Sequence, residues 1–99
     1  MVEFVWEFVA RAEQLAAFEE HCSKAGPWAA LFARCPGYRG TRLIRDLENP
    51  RRFLTVNVWD NLESYQAMRR DFSGEYAELD RTGEGFTESE RRIGAFEVI

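Results

Sequence analysis

Phe53-Leu54-Thr55-Val56-Asn57-Val58-Trp59 alternates without a break: Leu54, Val56 and Val58 form a purely aliphatic side, while Phe53, Thr55, Asn57 and Trp59 place two polar groups among aromatics. A period of two is that of a β-strand. The aliphatic side predicts a packing surface. The mixed side reads as a pocket wall.

Upstream, Asp46-Leu47-Glu48-Asn49-Pro50 supplies turn chemistry, and Tyr38 to Arg45 precedes it as a strand carrying Arg39, Arg42 and Arg45. So much charge suits a sheet edge, and the two strands read as a hairpin with a long loop. Val2 to Val9 repeats the strand period, with Val2, Phe4, Trp6 and Phe8 on one side and Val5 and Val9 beside Glu3 and Glu7 on the other. From Arg11 the period becomes helical through Leu15, Phe18 and Cys22. Gly26-Pro27 breaks that helix, Trp28, Leu31 and Phe32 resume its stripe, and Cys35-Pro36-Gly37 ends it.

Downstream, Asp60 with Glu63 is a capping pair, and Leu62, Tyr65, Met68 and Phe72 recur as a helix. Ser73-Gly74 marks a kink, after which Tyr76 and Leu79 continue towards Gly83. Thr87-Glu88-Ser89-Glu90 reads as a further capping box, good for one helical turn, before Arg92 to Ile99 closes as a strand.

The order is β-α-β-β-α-β across residues 1–99, one domain. Right-handed crossovers fold it into a ferredoxin-like α+β unit: a four-stranded antiparallel sheet, first and third strands central, both helical segments on one face. Those helices leave the other face bare, although the first, third and last strands carry apolar residues on both sides. An identical sheet related by a two-fold axis is the simplest cover, so a homodimer through the sheet face, a dimeric α+β barrel, is expected.

Thirteen basic residues are dispersed among seventeen acidic ones, for a net charge of −4. A nucleic-acid partner would meet net repulsion. No apolar run approaches the roughly 20 residues of a membrane span, and Met1-Val2-Glu3-Phe4 has no basic leader, so a cytoplasmic location without membrane contact is expected. Cys22 and Cys35 lack any zinc or redox spacing and read as buried thiols; no metal site is expected.

Pro36-Gly37-Tyr38-Arg39-Gly40, Leu43-Ile44-Arg45-Asp46, Arg52-Phe53-Leu54 and Trp59-Asp60, with Tyr65 following, resemble the antibiotic biosynthesis monooxygenase-like family. Glu75-Tyr76-Ala77-Glu78-Leu79-Asp80 and the run Phe86 to Glu90 look like a little-characterised bacterial branch of it. The resemblance implies a dimeric barrel with a pocket in each subunit between helices and sheet. Some members of the family oxidise hydroquinone- or anthrone-like aromatics by O2 with no cofactor, some degrade haem, and others have no known reaction, so the resemblance implies one of these for this chain. This chain departs from the aromatic-oxidising members in having Thr55 where they carry an asparagine, with Asn57 two residues on. It has Met68 and Glu78 at the positions corresponding to the haem degraders' tryptophan and histidine, and no histidine after His21, which sets haem chemistry aside.

Cofactor-free oxygenation needs an apolar pocket, a proton acceptor, and donors that stabilise an electron-rich anion while O2 reacts. Asn57, Trp59 and His21 are the candidate catalytic residues: an amide donor, an indole donor with a stacking surface, and the only side chain whose ordinary pKa suits a base near neutrality. Thr55, Tyr65, Tyr76 and Phe72 are the candidate substrate contacts. Each has a competing reading: core packing for Trp59, Tyr65 and Tyr76, and a solvated helix face for His21 beside Glu19 and Glu20. Trp6 and Trp28 read as core, and Arg69, Arg70, Arg91 and Arg92 as solvated ion pairs. Two functions are therefore expected to compete, a monooxygenase acting on a quinol- or anthrone-like aromatic and a non-catalytic dimer that binds a small molecule or a partner. An isomerase or cyclase is a third.

Overall fold

A computed structural model describes residues 1–99. β1 (Val2–Ala10) leads through a single 3-10 turn at Ala12–Gln14 into α1 (Leu15–Cys22) and α2 (Pro27–Phe32). β2 (Tyr38–Arg45) and β3 (Arg52–Trp59) follow, then α3 (Leu62–Asp71), α4 (Ser73–Glu84) and β4 (Thr87–Glu97). The sheet is antiparallel in the order β2-β3-β1-β4, so the two most apolar strands are central and the arginine-bearing strand lies at an edge. The expected ferredoxin-like α+β fold is the one observed.

Both predicted helix breaks are real. Pro27 occupies the first turn of α2, where its missing N–H costs nothing, and Gly26 stands before it. Phe72 leaves helical geometry between α3 and α4.

Three local readings are corrected. Asp60 does not cap α3; Asn61 does, its Oδ1 accepting from the Ser64 amide at 2.9 Å, while Asp60 pairs with Arg39. Thr87 to Glu90 forms no helical turn but opens β4, with Thr87 opposite Ala10, Ser89 opposite Val9 and Glu90 opposite Phe8. Ladder hydrogen bonds to a central strand outweigh a local cap worth about 1 kcal/mol. β4 is also not apolar on both sides. Its inner side carries Glu90 and Arg92, and Ile93 is extruded at a bulge where the register slips between Val5 and Trp6.

Helices and sheet enclose two aromatic clusters. One joins Phe4, Leu31, Phe32, Cys35, Trp59 and Met68; the other joins Ala10, Phe18, Cys22 and Phe53. The cysteines are buried free thiols, and burial pushes Cys22 up to about 12, so it stays protonated and inert near neutral pH.

The helix-free face presents Val5, Leu54 and Val58, each partly exposed, with Val56 buried among them and Phe96 folded over Gly94 and 51% exposed. At one end Glu7 collects Arg52 and Arg91, and its carboxyl is held below the usual range chiefly by the Arg52 hydrogen bond. No helix is long and apolar enough to cross a bilayer.

Candidate functional site

A chamber separates the two aromatic clusters. Its floor is the inner side of the sheet: Phe4, Trp6 and Phe8 from β1, Thr55 and Asn57 from β3, Thr41 from β2. The walls come from α1 and α2 through His21 and Trp28, from α3 and α4 through Tyr65, Tyr76 and Asp80, and from β4 through Thr87 and Glu90. The chamber is open on the side of Asp80 and Glu90, and its cavity volume is about 70 Å³. That is under half of the roughly 150 Å³ known to admit benzene, so a ring enters only as wall side chains turn aside.

Asn57 is held by a short relay. The Thr41 hydroxyl donates to Asn57 Oδ1 at 2.7 Å, and Tyr38 OH lies 2.5 Å from the same Thr41 oxygen. Because Thr41 has one proton and gives it to Asn57, Tyr38 must donate to Thr41. The amide carbonyl is thereby fixed towards β2. Its NH2 makes no hydrogen bond to protein and belongs to the chamber.

Tyr65 and Tyr76 also face the chamber. Arg69 Nη1 donates to the Tyr65 hydroxyl at 3.1 Å, and its guanidinium lies 4.0 Å from the centre of the Tyr76 ring. The Tyr65 oxygen accepts from Arg69, which leaves the hydroxyl's O–H to point at a ligand. Burial, reinforced by the Tyr65 phenol, raises Tyr76 well above an ordinary tyrosine, so it too remains a donor. Arg69 is thus no free surface ion, whereas Arg70 and Arg91 do sit in exposed pairs with Asp71 and Glu7.

His21 is 5% exposed, which overturns the solvated reading. Phe86 and Trp28 approach its ring edge-on at 5.4 and 6.1 Å, and Nε2 lies 3.1 Å from the Leu79 carbonyl. A carbonyl can only accept, so Nε2 carries the proton and Nδ1 keeps its lone pair. Burial lowers the pKa, more than the Leu79 bond raises it. His21 is therefore expected to titrate below its ordinary 6.5, with the Nε2–H tautomer above that midpoint. The unfolded chain takes up this proton first, so the histidine's contribution to stability is present at neutral pH and declines as pH falls through 6.5. Imidazole nitrogen shifts followed by NMR against pH check both points; a midpoint at or above 6.5, or the opposite tautomer, contradicts them.

Gly83 makes this packing possible. A Cβ there would lie 3.2 Å from His21 Nε2. Gly83→Ala is expected to push the ring off Leu79 and raise the histidine midpoint towards 6.5; an unchanged midpoint would show that the close approach is unimportant.

Trp59 and Phe72 lie elsewhere. Trp59 points to the helix side of the sheet but is 0% exposed, packed among Phe32, Tyr38 and Tyr65, and its Nε1 has no partner in the protein. It stands behind the chamber wall and supports both Tyr38, the start of the Asn57 relay, and Tyr65. Phe72 packs on the cluster around Trp59, with Arg34 over its ring at 4.8 Å. Of the seven candidates, Asn57, His21, Thr55, Tyr65 and Tyr76 meet in one chamber. Thr41, Asp80, Glu90, Trp6 and Trp28 join them without having been singled out for it.

Fold and chamber together define a ferredoxin-like α+β protein with an aromatic-lined interior site between helices and sheet. The model of the antibiotic biosynthesis monooxygenase family matches residues 1–71, and the chain belongs to that family. Two structures of SnoaB, a cofactor-independent oxygenase from Streptomyces nogalater, are similar. An asparagine-to-alanine variant superposes with a TM-score of 0.81 at 21% identity, over 98% of this chain and 91% of that one. The other gives 0.75 at 17%, over 99% and 92%. A conserved protein from Methanosarcina mazei Go1 gives 0.74 at 15%, over 97% and 90%. At these identities the likeness speaks for the fold. Among curated proteins none matches by sequence.

Proposed function

We propose that this protein is a cofactor-independent monooxygenase that oxidises a small electron-rich aromatic, quinol- or anthrone-like, with O2. Family membership and the likeness to SnoaB support the class. The observation that carries the reading is the Tyr38–Thr41–Asn57 relay, which presents a fixed amide donor to an aromatic-lined chamber.

Neutral His21 accepts the substrate's acidic proton at Nδ1, and the bonding electrons stay on the substrate as an enolate or phenolate. The developing oxyanion accepts hydrogen bonds from Asn57 Nδ2–H and Tyr65, both positioned before the reaction begins, so no reorganisation is needed as charge develops. Aromatic walls exclude water around the anion while it is oxidised. For a ring methylene the balance closes with one oxygen atom entering as a carbonyl and the other leaving as water with the two hydrogens. Thr55 and Tyr76 border the bound ring, and Trp59 and Phe72 hold the wall from behind. O2 uptake with a panel of quinols and anthrones tests the reading: uptake lost in Asn57→Ala supports it, and none above background, or uptake indifferent to that change, refutes it.

A second reading, a non-catalytic dimer that binds a small apolar ligand, is favoured by the burial of His21, which lowers its pKa and makes it a weak base. Thermal shift separates the two. A ligand that raises Tm without being consumed supports the binder.

We also infer that a second copy covers the helix-free face, where Val5, Leu54, Val58 and Phe96 place apolar side chains between Glu3 and Glu7. Sedimentation at micromolar concentration is expected to give twice 11.5 kDa, and Val58→Asp, which would bury a charge on that face beside Glu3, the monomer mass. A wild-type mass of 11.5 kDa contradicts the pairing.

A further inference from the structure

The chamber is chemically lopsided. At the β3 end, Asn57 and Tyr65 offer hydrogen-bond donors, with Arg69 behind Tyr65. At the β4 end, Glu90 and Asp80 offer only acceptors. Glu90 lies opposite Phe8, on the helix side of an edge strand whose other side was free to carry a charge. No cation pairs with either carboxylate. Arg91 is paired with Glu7 on the opposite face of the sheet and Arg51 with Glu88, while Arg92, two residues on along the same side of β4, forms no ion pair and does not line the chamber.

An independent sign comes from two threonines. Thr55 and Thr87 line the same chamber, are 7% and 8% exposed, and neither hydroxyl makes a hydrogen bond within the protein. Their hydroxyls are open to the chamber and free to bond an occupant, so the chamber suits one that carries polar groups along its length. Asn57 lies opposite Phe4 and Glu90 opposite Phe8 on the two strands that flank β1, which separates the backbones of donor end and acceptor end by about 13 Å along the strands and about 10 Å across them, a gap the side chains shorten from both ends. That span suits a fused-ring system with a polar group at each end.

We propose that Glu90, with Asp80 beside it, is the specificity-determining group of this chamber: it accepts a hydrogen bond from a hydroxyl or amino group on the far ring of a fused aromatic substrate and turns away substrates with a carboxylate there. The proposal deepens the oxygenase reading and rests on it for the identity of the occupant. A hydroxyl satisfies an acceptor that no protein group satisfies. A substrate carboxylate would instead meet two like charges at the solvent-exposed end of the chamber, a repulsion that selects by excluding and weakens with salt. Burial, followed by the proximity of Asp80 and Glu84, raises the Glu90 carboxyl above the ordinary carboxylate value, in keeping with an acid that has no cation to hold it.

Binding measured under argon separates this proposal from turnover. The probes are naphthohydroquinone and its ring carboxylic acid, titrated into the full chain and followed by quenching of Trp6 and Trp28. The neutral compound is expected to bind about tenfold or more tightly than the acid. Glu90→Gln should close most of that gap by tightening the acid while leaving the neutral compound little changed, and Asp80→Asn should act in the same direction. A merely structural effect would weaken both probes alike and leave their ratio in place. Equal affinities in the unaltered protein, binding of neither probe, or a ratio unmoved in both variants would overturn the proposal. If Glu90→Gln does not fold, Asp80→Asn decides. Because no oxygen is present, failed O2 uptake would refute the oxygenase reading and leave this ratio standing.

Discussion

Asn57→Ala is expected to lower turnover of an oxidisable quinol by about 10²–10³-fold, the usual cost of removing one donor to a developing oxyanion. KM should change little, because the neutral ground-state oxygen needs that donor far less than the anion does. The cost to stability is modest, about 1 kcal/mol, since Thr41 loses its acceptor but lies near enough to the chamber to recruit water. Thr41→Val and Tyr38→Phe separate orientation from donation. Both leave the amide in place and remove the relay that aims it, so each should reduce kcat by less than Asn57→Ala does. Steady-state kinetics on folded variants check this order; full activity in Asn57→Ala, or an equal loss in KM alone, would take the amide out of the chemistry.

Gly26→Ala should have the largest effect on the fold itself. A Cβ at this position would stand 2.2 Å from the Glu20 carbonyl oxygen and 2.9 Å from that of His21, both backbone atoms at the end of α1. No rotamer can relieve such a clash, so α1 and α2 must separate or the turn must unwind. Overpacking of this kind costs about 1–3 kcal/mol where side chains can yield, and more where they cannot. The damage also falls on His21, whose own carbonyl is one of the atoms struck, so the histidine's lowered midpoint should vanish along with Tm. Urea unfolding and the imidazole titration measure both. A Tm within a degree or two of the unaltered protein would mean that the turn is freer than its packing indicates.

These two positions show what the sequence disclosed and what it withheld. Gly26-Pro27 was legible as a break because proline lacks an amide and constrains its predecessor, but that Gly26 lies against the end of α1 follows only once the helices meet. The mixed side of β3 was legible from alternation alone, and Thr55 and Asn57 do line the chamber. Thr41 was not, because it sits in a strand whose arginines dominate any reading, and its partnership with Asn57 depends on register. His21 looked solvated from its neighbours Glu19 and Glu20, yet helical spacing puts adjacent residues about 100° apart, and its direction is set by α4.

The β4 end was misread for a related reason. Thr87-Glu88-Ser89-Glu90 satisfies the local pattern of a capping box, and nothing short-range distinguishes that from a strand with an inward acid. Pairing with β1 decides the matter, turning Glu90 and Thr87 into chamber walls. For Trp59 the face was legible and the depth was not, which left core packing and a pocket role both open; the aromatic residues of α2, β2 and α3 close over it. Depth is a property of the whole packing, whereas face is a property of period.

The most direct test of the account is oxygen consumption by the purified chain, stripped of metal and flavin, with an anthrone as substrate. The account predicts consumption of one O2 per anthrone oxidised, with formation of the corresponding quinone, no stimulation by added metal or flavin, and loss of this activity in Asn57→Ala. Consumption that appears only when metal or flavin is supplied, or that is the same with and without the Asn57 amide, would contradict it.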